Sequence, residues 1–266
     1  MPLCVDSFFG KELYFCCLIL LNYTVALPYN HSSEAKKTQV KKMFDAIASN
    51  YDFLNHFLSM GIDKYWRNKL VKRLKGANPQ AILDVAAGTG DLTLALARLK
   101  PQTLVGADLS SEMLRVGQQK IDRKGLTDKI ILQQADAEAL PFADNSFDAV
   151  TAAFGVRNFE NLLAGLREMN RVLRPGATLL ILEFSTPKKS WFSWVFTFYF
   201  KYILPFIGRI VSRDASAYTY LPVSVSEFPD RERFTAILHE AGFISTRFTE
   251  LTFGVACLYQ ANKAAH

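Results

Sequence analysis

This chain lacks an amino-terminal hydrophobic run long enough to cross a bilayer. The apolar stretch there extends only from Leu13 to Leu21 before Asn22 interrupts it, and a spanning helix needs roughly 20 such residues. It also lacks the positive head of a secretory leader, since Asp6 precedes the run and Glu12 follows Lys11 at once. Residues 1–33 are therefore read as an extension, with the folded protein expected to begin near Pro28 or later. Cysteine and histidine are scarce, at four each. Cys4, Cys16, Cys17 and Cys257 do not combine with histidine at metal-binding spacing, so no metal site is expected and a reduced, cytoplasmic setting is the simplest reading. Repeats and low-complexity tracts are absent. Acid is in deficit, with 25 Asp and Glu against 31 Lys and Arg, and the net charge of +6 favours anionic surroundings, nucleic acid or an acidic membrane face.

What is present is the composition of a globular protein, half hydrophobic and 21% charged. From Glu34 to Lys75 the chain reads as helix. Lys36, Lys37, Lys41 and Lys42 lead into Phe44, Ile47, Tyr51 and Leu54, whose spacing of three and four places them on one face. Gly76, Asn78 and Pro79 break the pattern, marking 34–78 as a helical cap before a main domain of 79–266. Short apolar runs then alternate with amphipathic segments. Strands are expected at Ala81–Val85, Thr103–Ala107, Ile130–Gln134, Phe147–Ala152 and Thr178–Leu182, and helices at Leu92–Leu99, Ser111–Arg123 and Leu162–Leu173. Arg174, Pro175 and Gly176 form a stop signal. A last helix is expected near Arg231–Ala241, with strands near Phe243–Phe248 and Val255–Gln260. This alternation predicts an α/β, Rossmann-like fold with a mostly parallel sheet, its first strand central and opening at its carboxyl end on a cofactor crevice.

The stretch LDVAAGTGDLTLALA, Leu83 to Ala97, resembles a dinucleotide-binding turn. Gly88 and Gly90 are in place, but the third glycine of that turn is replaced by Thr93, which weakens the dinucleotide reading. The two glycines still let the backbone approach a ligand, with the dipole of the following helix behind them. Asp108 ends the second strand, where a carboxylate can accept from both hydroxyls of a ribose, and Asp136 ends the third, near where an adenine amine would lie.

The ordered set of turn, Asp108 and Asp136 resembles a class I methyltransferase that uses S-adenosylmethionine. The segments YDFLNHFLSMGIDKYW (51–66), DVAAGTGD (84–91), DAEALPFADNSFD (136–148), FGVRNF (154–159), REMNRVLRPGATLLILEFS (167–185) and DASAYTYLPVSVSEFP (214–229) occur in register with one family. They resemble the ubiquinone and menaquinone biosynthesis C-methyltransferases from about Lys41 to Tyr259. The resemblance implies a seven-stranded sheet, S-adenosylmethionine as cofactor, and methylation of a ring carbon of a prenylated quinol, with demethylmenaquinol ahead of the benzoquinol of ubiquinone biosynthesis. By position it implies cofactor contacts at Thr89, Asp108, Asp136 and Ala137, beside Gly88 and Gly90, with Asp84 holding the amino-acid part. The chain departs from the family pattern at Leu54, Asp63, Asp136 and Ala153, often Met, His, Asn and Ser there; without a serine hydroxyl at Ala153, one cofactor contact that the resemblance implies is put in doubt, though not the class.

Such chemistry needs an acceptor oxygen held as its anion in line with the methyl donor. Arg157 and Asn158 are the first candidates to hold it, Arg157 as an anion stabiliser because it stays protonated. Tyr51, Asp52, Asp214, Tyr218 and Tyr220 rank second, and His56 and His239 read as structural or exposed. The aromatic segment Trp191–Phe206 is read as a helix within an insert spanning 187–228. It is expected either to be buried as a lid or homodimer contact, or to border a prenyl tunnel or the membrane interface. The rivals are an RNA or small-molecule methyltransferase, though no nucleic-acid motif is found and no nucleic-acid partner is expected, and a non-catalytic scaffold of a quinone-synthesis assembly.

Overall fold

The amino-terminal helical stretch divides at Gly61, whose φ of 75° suits glycine and ends helical propagation. In the computed structural model, which describes residues 26–29, 32–59, 61–187, 194 and 216–265, apart from the side chains of Leu54, Phe57, Leu58 and 216–218, the result is α1 (Lys36–Leu58) and α2 (Ile62–Lys75). A single glycine inside an unbroken apolar period carries no other mark of a boundary, so the sequence reads through it.

Beyond α2 the chain alternates as its pattern implies: β1 (Ala81–Val85), α3 (Asp91–Leu96), β2 (Thr103–Asp108), α4 (Ser111–Arg123), β3 (Ile131–Gln134), β4 (Phe147–Ala153), α5 (Leu162–Val172) and β5 (Leu173–Phe184). Then come α6 (Ser216–Glu227), α7 (Glu232–Glu240), β6 (Phe243–Leu251) and β7 (Ala256–Lys263). The strands form one seven-stranded sheet ordered β3-β2-β1-β4-β5-β7-β6. The first five are parallel, and β7 runs antiparallel to both β5 and β6.

Two local features differ from the expected pattern. Arg174–Gly176 do not precede β5 but bulge within it: Leu173 pairs with Phe147 and the next pair is Thr178 with Ala149. Helix α5 has already ended at Val172, and Gly176, at φ 76°, lets the strand fold out and return. Strands β6 and β7 run longer than their apolar cores because antiparallel pairing carries polar residues along the edge. Of the aromatic segment Trp191–Phe206, all but Trp194 lies outside the described residues.

Both faces of the sheet are covered. Period two sends Leu83 and Val85 to a core shared with Leu166 and Met169 of α5 and Phe234 and Leu238 of α7. Ile82, of the opposite parity, packs with Trp66 and Leu70 of α2 and Leu92 and Leu96 of α3. A third cluster joins Met43 and Ile47 of α1 to Met113 of α4 and Tyr220 of α6, so α1 roofs the carboxyl edge of the sheet. Each fully buried Leu or Met contributes about 1.5–3 kcal/mol.

At the other end of the strands, Asp148 fixes the start of β1. Its Oδ2 accepts from the backbone N–H of Gln80 and Ala81 at 2.9 and 2.8 Å, and its Oδ1 accepts from Arg174 at 2.5 Å. Partial burial would raise this carboxyl, yet the Ala81 amide and Arg174 hold it below its ordinary value. Asp148→Ala is expected to cost about 1–3 kcal/mol, read as a lower melting temperature, while ligand affinity at the far end of the sheet is unchanged; an equal loss of both would show that the two ends are coupled.

Candidate functional site

The carboxyl ends of β1, β2 and β4 open beneath α1 into a cleft of about 1000 Å³, counting its solvent-open mouth. It lies where the chain order reverses between β1 and β4, the usual ligand position in such sheets. The turn after β1 is closed by Gly90 N–H donating to Ala87 O at 2.9 Å. Gly88 and Gly90 take φ of 56° and 78°, and a Cβ on Gly88 would meet nothing within 4 Å. Gly88 thus serves the turn's backbone conformation and leaves its face open to the cleft. Ala86 and Phe154, just beyond β1 and at the end of β4, also hold left-handed backbone, at φ 54° and 60°. A Cβ on the neighbouring Gly155 would lie 2.4 Å from the Ala86 Cβ, so the two strand ends touch there.

Asp84, Asp108 and Asp136 are among the acids that line this cleft. Asp84, from β1, is buried, its oxygens accepting from Thr93 Oγ1 at 2.6 Å and Thr151 Oγ1 at 2.9 Å. Burial without a cation in contact pushes its pKa up to about 7, against the pull of both hydroxyls. Thr93, at the third glycine position of a dinucleotide turn, therefore has a task of its own. Asp108 accepts from Gly88 N–H at 2.7 Å and from Ser110 N–H at 2.8 Å, and burial raises its pKa against those amides. Ser110 also caps α4 by accepting from Met113 N–H at 3.1 Å. Asp136 receives Lys37 of α1 at 2.6 Å on one oxygen and the Glu138 amide at 2.9 Å on the other. Ala137 and Ala153 line the same space.

The acceptor candidates separate. Asn158 and Tyr51 line the cleft. Tyr220 does not, but it is buried and donates to Asn158 Oδ1 at 3.1 Å, so it orients that amide; burial pushes its phenol up to about 12. Burial likewise raises Tyr51, which packs edge-on against Phe44 at 5.9 Å. Arg157 is not among the residues that line the cleft: its guanidinium donates to Glu183 Oε1 at 2.7 Å and to the Phe154 carbonyl, and its buried Nε has no hydrogen-bond partner. Lys36 reaches from α1 to the carbonyls of Arg157 and Phe159 at 3.2 and 2.9 Å. Asp214 lies outside the described residues, as does the Tyr218 side chain on α6.

Thr89, buried between the glycines, donates to Asp52 of α1, and Lys120 of α4 joins Asp52 to Asp91. His56 meets Asp63 at 2.8 Å and Asp91 at 3.4 Å. Although His56, Asp63 and Asp91 cluster at metal-binding distance, Arg67 and Lys120 already neutralise these carboxylates. His239 meets Thr246 at 2.6 Å on the surface. Lys36, Lys37, Lys120, Thr151 and Glu183 were not singled out by the sequence as site residues; for Lys36 and Lys37, placement at the amino end of the cap helix was the available signal.

A family model described as the ubiE/COQ5 methyltransferase family matches residues 32–263. The demethylmenaquinone methyltransferase of Bacteroides fragilis is 46% identical over 91% of this chain and 100% of its own length. A ubiquinone/menaquinone biosynthesis C-methyltransferase UbiE of Geotalea daltonii is 46% identical over 86% of this chain and 97% of its own. Among solved structures, a SAM-dependent methyltransferase from Thermotoga maritima superimposes with a TM-score of 0.57 at 15% identity, over 84% of this chain and 99% of that one, a likeness of fold alone.

The raised Asp84 makes a pH test. Between pH 3.8, its ordinary value, and about 7 the folded protein keeps a proton that the unfolded chain has lost, so this group favours folding at low pH and that advantage is lost as pH rises through about 7. The stability of the ligand-free protein relative to Asp84→Asn is expected to fall by on the order of 4 kcal/mol from pH 4 to pH 8; parallel melting curves for the two proteins across that range would exclude a shifted Asp84.

Proposed function

Because the chain belongs to the ubiE/COQ5 methyltransferase family, we propose that it transfers a methyl group from S-adenosylmethionine to a ring carbon of a prenylated quinol, converting demethylmenaquinol to menaquinol. The observation that carries this reading is the convergence of Asp84, Asp108 and Asp136 on one cleft, around a turn whose Gly88 face is open. S-adenosylmethionine supplies a methyl group on a sulfonium centre, electrophilic enough for an electron-rich ring carbon to take it.

The chain's own groups suit that ligand. Asp108, already oriented by two amides, keeps lone pairs for ribose hydroxyls. Asp136 and the adjacent Ala137 border the part of the cleft expected for adenine. Asp84 meets the cationic amino-acid end, and ionises as it does so because a neighbouring cation reverses the effect of burial. On the acceptor side, Asn158, oriented by Tyr220, and Tyr51 contact the quinol oxygen. The Arg157 cation, neutralised by Glu183 and set behind them, keeps the potential of this wall from opposing an oxyanion. Glycine at 155 lets the ends of β1 and β4 close on each other beside the cleft.

A naphthoquinol acceptor is favoured over a benzoquinol by the name that the Bacteroides fragilis relative carries. Purified protein in detergent is expected to move label from S-adenosylmethionine onto demethylmenaquinol. Label on a demethylated benzoquinol alone would reverse the substrate assignment, and cofactor binding without transfer to either would favour the scaffold.

The enzyme is further proposed to work at the cytoplasmic face of a membrane, where a prenylated acceptor resides. No helix among the described residues is long and apolar enough to cross a bilayer. Peripheral contact is supported by the outer face of α2, where Lys64, Lys69, Lys72, Arg73 and Lys75 are exposed beside Tyr65 and the helix's one acid, Asp63, is buried. Vesicles rich in phosphatidylglycerol are expected to carry the protein on flotation, less so at raised salt; retention in the aqueous phase with such vesicles at low salt would remove this part of the proposal.

A further inference from the structure

Lys120 does not line the cleft, yet three elements that shape it meet at its ammonium group. Its Nζ donates to Asp52 Oδ2 on α1 at 2.7 Å and to Asp91 Oδ1 in the first turn of α3 at 2.5 Å, and it lies 3.3 Å from Thr89 Oγ1 in the glycine turn. Thr89 in turn donates to the second oxygen of Asp52. The Lys120 side chain is only 15% exposed, so these contacts are poorly screened by water. Burial alone would raise Asp91, but Arg67 and Lys120 hold it below the ordinary carboxylate value. Without the ammonium, Asp52 and Asp91 would face each other with one cation fewer between them.

The two ends of this clamp belong to different halves of the cleft. Thr89 stands between the glycines on the cofactor side. Asp52 follows Tyr51, which lines the acceptor side. Along its length α1 is further fastened to the sheet edge by Lys37 on Asp136 and by Asp45, which accepts from Ser110 Oγ at 2.5 Å. Those contacts touch the cofactor side, and Lys36 of the same helix reaches the Arg157 and Phe159 carbonyls beside Asn158; the Lys120 clamp ties the glycine turn itself to the Tyr51 end of α1.

We infer that Lys120 is a positioning residue that locks the cap helix α1 onto the glycine turn, so that filling either half of the cleft raises the affinity of the other. This rests on the methyl-transfer reading for the identity of the two ligands. Occupying the cofactor side orders Thr89, and through Lys120 and Asp52 this sets the Tyr51 end of α1; by linkage the acceptor has the same effect in reverse.

The test compares wild type with Lys120→Met, which keeps length and loses charge, and Lys120→Arg, which keeps the charge. S-adenosylmethionine binding is measured by calorimetry with and without a short-chain naphthoquinol, alongside steady-state methyl transfer. In wild type the acceptor is expected to tighten cofactor binding by on the order of tenfold. In Lys120→Met that factor should fall to near one and both KM values should rise, with kcat changed less than either, and Lys120→Arg should restore most of the coupling. Because Lys120→Met carries a folding risk, Asp52→Asn, which removes the α1 end of the clamp, should reproduce the loss of coupling, and the double variant should add little to either. A Lys120→Met protein whose coupling and KM values match wild type, or whose kcat alone falls, would overturn the role of Lys120 while leaving the methyl-transfer reading intact. Wild-type protein that transfers no methyl group would overturn both.

Discussion

Negative charge collected at the ends of parallel strands is the condition that the rest of this architecture answers. Asp84, Asp108 and Asp136 project from, or just beyond, three strands into one cleft, with Asp84 fully buried and Asp136 part-exposed. An unpaired carboxylate there is costly enough that the protein answers each one differently. Asp84 has only hydroxyl donors and shifts toward its neutral form. Asp108 is held by two backbone amides, and Asp136 by a lysine borrowed from the cap. The site is thus graded, from the most neutral acid in its depth to the ion-paired one nearest solvent.

That grading explains the roof. Helix α1 buries Met43 and Ile47 against Met113 and Tyr220, and it also supplies Lys36 and Lys37 to carbonyls and carboxylates of the sheet edge. Apolar burial sets where the helix lies, and the charged contacts set its register over the cleft. The pair of Arg157 and Glu183 follows the same logic behind the Asn158 side of the cleft. The Arg157 cation is neutralised and anchored by the buried Glu183, so it does not unbalance the resting protein.

Much of the fold was legible because local rules and tertiary packing agree. Apolar runs at Ala81–Val85 and Phe147–Ala153 become strands covered on both faces, and Ser110 caps the helix it precedes. The division at Gly61 and the bulge at Arg174–Gly176 were not legible. One is a lone glycine in a periodic segment, and the other is decided by which strand lies alongside.

Much of the identity of the cleft's acids was written in the chain itself: a glycine turn followed, each time after a helix and a strand, by Asp108 and Asp136 places those groups at one edge of any parallel sheet these residues build. What only the tertiary structure decided is how those groups are partnered. Thr93 and Thr151 meet at Asp84 because β1 pairs with β4 in the register that sets Asp84 opposite Thr151. Arg157 turns away to Glu183 because β5 delivers that carboxylate behind the loop after β4. Lys120, 31 residues from Thr89, reaches it because α4 packs beside α1. Spacing fixes the strand end from which a side chain departs; the charge, hydroxyl or amide waiting for it depends on neighbours distant in sequence, brought there by the burial of apolar surface.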